Sequence, residues 1–124
     1  MIIKFKVPLV KLRNVWETMN RWEKTKFKDD LNESIYYEIR LHFKTTIPEF
    51  KKVKPKYILH TRRQVDGDSI VEMRALITNA IRYSGLVPDD SPAYFDEVAV
   101  GYVKDDGRFV EVELEADNGR ANER

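Results

Sequence analysis

Four carboxylates stand out by type and placement. Asp66 and Asp68 follow the apolar run that ends at Arg62-Arg63, and Asp89 and Asp90 follow the apolar-periodic stretch beyond them. Paired aspartates supply hard oxygen donors, which suit Mg²⁺ held by few carboxylates together with substrate phosphate, and Mn²⁺ accepts the same ligands. Such an ion polarises a phosphodiester, orients an attacking water and stabilises the departing oxygen. Without a cation the clustered acids repel one another and their carboxyl pKa values rise. Arg62 and Arg63, next to the first pair, are suited to contact phosphate. The bland use of the same residues is turn and capping chemistry, for Asp-Gly-Asp and Pro-Asp-Asp both belong to ordinary loops.

A second set of candidates is cationic. Residues 1–63 hold 16 Lys and Arg against 7 Asp and Glu, whereas residues 64–124 hold 6 against 14, so a net charge of +1 conceals balances of +9 and −8. A basic half can neutralise phosphates and release counterions, the step that drives most non-specific DNA binding. Arg13, Arg21, Lys24, Lys26 and Lys28 are the cations expected to touch phosphates. Trp16, Trp22 or Phe27 among them could stack on an unpaired base, or anchor the segment to the core. The alternative for the whole set is a solvated surface. His42 and His60 are too far apart for ligand spacing and read as structural.

These residues need elements to position them. Ile3, Phe5, Val7 and Leu9 alternate with Lys4 and Lys6, which predicts a strand. Residues 10–28 show no clean period and read as a long basic loop. Asp29 or Asp30 is the expected cap of a helix over roughly 30–45, whose stripe is Leu31, Ile35, Ile39 and Phe43. Tyr57–His60 reads as a second strand. Asp68 or Ser69 is expected to cap a second helix carrying Ile70, Met73, Ile77 and Ile81, with Gly85 as its stop. Residues 97–104 and 108–115 read as paired strands of a hairpin turned at Asp106-Gly107. The order β-α-β-α-β-β predicts a mixed α/β (α+β) class with a small mixed sheet and two main helices. A helix packed antiparallel to a strand joins opposite ends of it. The two acid pairs therefore share a site only if the chain after Gly85 turns back across the sheet.

Bulk properties bound the rest. The 124 residues, 42% hydrophobic and 35% charged, suit one globular domain over 1–116 with a frayed tail over 117–124. No run approaches the ~20 apolar residues of a membrane span, and the start has no signal-peptide layout. The absence of cysteine excludes disulfides, thiolate zinc sites and cysteine nucleophiles, and it suits a reducing cytoplasm.

The segment RRQVDGDSIVEMRALITNAIRYSGLVPDD, Arg62 to Asp90, resembles the RusA family of phage-borne and prophage-borne Holliday junction resolvases. That family shows a basic strand end, an Asp-x-Asp-Asn step, a helix, a glycine and a double-acid turn. The resemblance extends to the first strand, the basic segment after it, the first helix and the last pair of strands, with Lys104 at the lysine before their turn. It implies a dimeric, Mg²⁺-dependent endonuclease that cuts paired strands of branched DNA in the cytoplasm, a bacterial host's if the protein is phage-encoded. By position Asp66, Asp68 and Asp90 would be catalytic metal ligands and Asp89 an outer ligand or base. Arg62, Arg63 and Arg74 would clamp phosphate. Two departures are evident: Ser69 replaces the asparagine, and Glu72 stands where the family has a lysine, Arg74 being the nearest cation. The spacing from Asp68 to the double acid is about three residues longer than the family's, and Ser91–Phe95 is an insertion. These departures define alternatives, a related protein that binds branched DNA without cutting it or a nucleic-acid-independent assembly domain.

Overall fold

Alternation decides the sheet. In a computed structural model that describes residues 1–8, 20–62, 67–89 and 93–116, β1 (Ile2–Pro8) buries Ile3, Phe5 and Val7 and exposes Ile2, Lys4, Lys6 and Pro8. The strand β2 (Val53–Thr61) buries Val53, Tyr57 and Leu59, and β4 (Phe109–Ala116) buries Val110, Val112 and Leu114. Each such side chain contributes about 1.5–3 kcal/mol when it leaves water. Between them run two helices, α1 (Arg21–Arg40) before β2 and α2 (Gly67–Tyr83) after it. A third strand, β3 (Ala99–Lys104), precedes β4. The class is mixed α+β: a four-stranded mixed sheet and two helices among the described residues, the helices lining one face with Leu31, Ile35 and Ile39 of α1 and Met73, Ile77 and Ile81 of α2.

Strand order is β1-β4-β2-β3, and this corrects the expected hairpin. Here β4 pairs antiparallel with β1 and β2, while β3 pairs parallel with β2. The connection through Asp106-Gly107 therefore crosses the end of β2 instead of closing a hairpin. Charge on the open face explains the choice. Glu111 and Glu113 of β4 stand opposite Lys6 and Lys4 of β1, and Glu113 and Glu115 stand opposite Lys56 and Lys54 of β2. The corresponding residues of β3, Ala99, Gly101 and Val103, offer no cations. Lys4 and Glu113 approach to 3.5 Å. Four lysines of the basic early half thus stand opposite three glutamates of the acidic late half across the sheet, a cross-strand pairing worth a few tenths of a kcal/mol per pair.

Three further boundaries differ from expectation. Residues 9–19 lie outside the described set, but Arg21–Lys28 is helical, not loop. The cap is Asn20, whose side chain accepts from the Glu23 N–H while Glu23 accepts from the Asn20 N–H. This reciprocal box starts a helix whose first ten residues fully bury no side chain and half-bury only Lys24 and Phe27, so little apolar period announces it. Asp29 and Asp30 are consequently mid-helix, and α1 ends at Arg40, with Phe43 packing on Phe50 from beyond the helix. The second strand is longer than Tyr57–His60 and contains Pro55. Val53 donates to Tyr94 on the β3 side; Pro55, two residues on, directs its missing donor to that same side, just before β3 begins pairing at Lys56. Finally, α2 is already helical at Gly67, which puts Asp68 and Ser69 in its first turn and not at its cap. Gly85 ends α2 as expected, with φ +89°.

Candidate nucleic-acid interface

The carboxyl end of β2 gathers a cluster of polar contacts. Arg62, exposed just past β2, hydrogen-bonds through Nε to the Asp106 carboxylate in the β3–β4 connection. Both side chains are open to solvent, so this pair contributes at most about 1 kcal/mol and a phosphate can displace it. Lys104 ends β3 beside Thr61 and is exposed. The backbone of Asp68 lies in the first turn of α2, where helix amides favour negative charge. Asp66 and Arg63 lie outside the described residues.

Asp89 sits elsewhere. Fifteen helical rises separate Asp68 from Tyr83, ~22 Å. Beyond that end, the Leu86 carbonyl accepts from Phe50 N–H, Tyr94 accepts from Val53, and Asp96 donates back to Val53. These bonds hold the segment carrying Asp89 at the amino end of β2, opposite the end where Arg62 and α2 begin. The chain after Gly85 does not turn back across the sheet. Donor oxygens on one Mg²⁺ stand within ~4 Å of each other, so Asp68 and Asp89 of one chain do not converge on a shared ion. Among the described residues no group of three His, Asp or Glu side chains is placed to hold a metal. Asp90 falls outside the described residues.

The cations of the supposed basic loop stand on a helix instead. Arg21, Lys24 and Lys28, at spacings of three and four, share one side of the first turns of α1, and Lys26 reaches 3.7 Å to Asp30. Trp22 is 71% exposed and accompanies them, while Phe27 packs partly against the core. Arg13 and Trp16 fall outside the described residues. Arg74 is half-buried on α2, near enough to Tyr57 for its charge to act on the phenol. Glu72, at the family's lysine position, has one carboxylate oxygen buried with no hydrogen-bond partner among the described residues.

A network with no local signal in its residues completes this end. His60 hydrogen-bonds through Nδ1 to Asp105 at 2.8 Å and through Nε2 to Glu111 at 3.1 Å. Its ring stacks on Phe109 with centroids 4.4 Å apart, and the Lys6 ammonium stands 4.6 Å from the Phe109 ring centre. Two carboxylate neighbours are both satisfied only by an imidazolium. The bond to Asp105, aided by Glu111, outweighs burial and raises the His60 pKa. Asp105 is held below the usual carboxylate range by His60 and then by the Gly107 N–H. His60 thus fastens the β3–β4 connection to β2 and β4, the structural role read for it. Its partners lie 45 and 51 residues away, and no local signal points to them.

Neither a protein-family model nor a curated protein sequence matches this chain. No helix among the described residues is long and apolar enough to cross a membrane.

Proposed function

We propose that this chain is a RusA-type, Mg²⁺-dependent endonuclease that cuts four-way DNA junctions as a dimer, in the cytoplasm. The observation that carries the reading is the Arg62–Asp68 step at the hand-over from β2 to α2. It sets a cation able to release its weak partner one short segment from Asp68, in the first turn of a helix. The cationic side of α1 extends the surface available to DNA phosphates. Because α2 holds Asp68 and Asp89 at opposite ends of one chain, the ligand set draws on two chains, Asp66 and Asp68 of one with Asp89 and Asp90 of the other. An ion held there would orient the attacking water and stabilise the departing oxygen. Arg62, Arg63 and Arg74 position the phosphodiester, and Mn²⁺ can substitute for Mg²⁺. Asp68→Asn is expected to abolish metal-dependent cleavage while leaving junction affinity within about twofold; cleavage by this variant at the wild-type rate would remove Asp68 from the ligand set.

One observation favours a second reading, binding of branched DNA without cutting. Glu72 places a carboxylate one turn into α2, where a cation would otherwise face the phosphate. Under this reading the wild type shifts a junction in a salt-sensitive manner under every divalent metal and cuts none.

A further inference from the structure

We propose that two copies of this chain join edge to edge through β3, running antiparallel, with Gly101 on the two-fold axis. The sheet has two edges, and they are built differently. On β1, Lys4, Lys6 and Pro8 stand along the edge strand, the devices that discourage pairing with another chain. On β3, residues 99–103 read Ala-Val-Gly-Tyr-Val, and Val100, Tyr102 and Val103 are exposed. No strand among the described residues covers its outer side.

The strand is also self-complementary. A two-fold axis perpendicular to the sheet keeps each copy's faces, so opposed positions lie at equal distances from the axis. Centred on Gly101, Val100 faces the second copy's Tyr102 on the helix side, and Ala99 faces the second copy's Val103 on the open side. Lys104 then lies opposite the second copy's Val98 at both ends. Gly101 itself is not required by its own chain. Its φ is not positive, and an added Cβ would meet only Ile58 Cγ1 at 3.7 Å, an ordinary contact. A glycine inside a strand is costly unless another backbone comes close.

The pairing forms one eight-stranded sheet in which the two β2 strands run antiparallel, three strand spacings or ~14 Å apart. The Asp68 end of one chain then shares a rim with the Asp89 end of the other. That consequence bears on the endonuclease reading, whereas the pairing stands on β3 alone.

The chain contains no cysteine, so Gly101→Cys introduces a single thiol. Opposed residues of an antiparallel pair are about 4.5–5.5 Å apart at Cα, within reach of a disulfide. Mild oxidation is expected to convert Gly101→Cys to a covalent dimer, and Lys4→Cys on the other edge at least roughly tenfold less. The double variant Val100→Lys, Tyr102→Lys sets lysine against lysine twice. Its dimer dissociation constant, by sedimentation equilibrium, should rise at least roughly tenfold. Mixing it with Val100→Glu, Tyr102→Glu should restore the dimer, circular dichroism and melting having shown each variant folded. A monomeric wild type at micromolar concentration, a dimer indifferent to these substitutions, or equal cross-linking through Lys4→Cys overturns the pairing. Junction cleavage is scored separately. A β3-linked dimer that cuts nothing sinks only the endonuclease reading, and a cutting dimer insensitive to β3 sinks only the pairing.

Discussion

The bond between the Tyr57 hydroxyl and Thr78 Oγ1, 2.9 Å long, fixes α2 on β2 and hence the hand-over from the strand that ends at Thr61 to the helix that begins at Gly67. Tyr57 is 0% exposed. Removing one partner of such a bond leaves the other unsatisfied, whereas removing both leaves matched apolar groups. Thr78→Val strands the fully buried phenol and is expected to cost about 2 kcal/mol. Tyr57→Phe strands the less buried Thr78 hydroxyl and should cost about 1 kcal/mol. The double variant should lose no more than about 1–2 kcal/mol, giving a coupling of about 1–2 kcal/mol. At this chain length each kcal/mol moves Tm by about 3–6 °C. Urea and thermal unfolding of the four proteins measure the cycle. A second readout is alkaline: burial raises the Tyr57 pKa above its ordinary value of 10.0. Stability from this group is therefore complete below pH 10 and falls as the unfolded phenol ionises above it, and Tyr57→Phe lacks that fall. Strictly additive single-variant losses, or a larger loss from Tyr57→Phe than from Thr78→Val, would refute the assigned contact.

Replacing the cap of α1, Asn20→Ala, should cost about 1 kcal/mol and lower helical ellipticity, as a loop over residues 20–28 would not. The His60 network predicts a defined pH profile of Tm. With the His60 pKa raised, its contribution is complete below about 6.5 and is lost as pH rises through the folded value. With the Asp105 pKa lowered, that contribution is present above about 3.8 and fades as pH falls through the folded value. Tm should therefore show a network-dependent maximum between these limits that His60→Asn flattens, and identical profiles for the two proteins would contradict the network. Asp68→Asn and Asp90→Asn, each inactive alone, should complement when mixed. Half of the dimers become heterodimers with one intact ligand set each, restoring about a quarter of wild-type sites, and no recovery in verified heterodimers would place the ligands within one chain.

What the sequence disclosed and what it concealed follow from the range of each signal. β1, β4 and α2 were legible because their buried faces repeat at the period of the element, as Ile3-Phe5-Val7 and Ile70-Met73-Ile77-Ile81 do. The first two turns of α1 were not, since Asn20 and Glu23 start a helix that exposes nearly everything until Leu31. Asp106-Gly107 is a local turn signal and suggested a hairpin. Pairing was decided by Lys4, Lys6, Lys54 and Lys56, which meet the β4 glutamates from 55 or more residues away. The acid pairs were visible as chemistry, and the condition for their meeting could be stated in advance. Only the Phe50–Leu86 and Val53–Tyr94 bonds reveal that a single chain does not meet it.

The central claim is tested most directly by incubating the purified protein with a labelled synthetic four-way junction and with matched linear duplex, each in Mg²⁺, Mn²⁺ or EDTA. Paired, metal-dependent nicks in the junction and none in the duplex are predicted. An uncut junction under both metals, or duplex cut as readily as junction, would contradict the account.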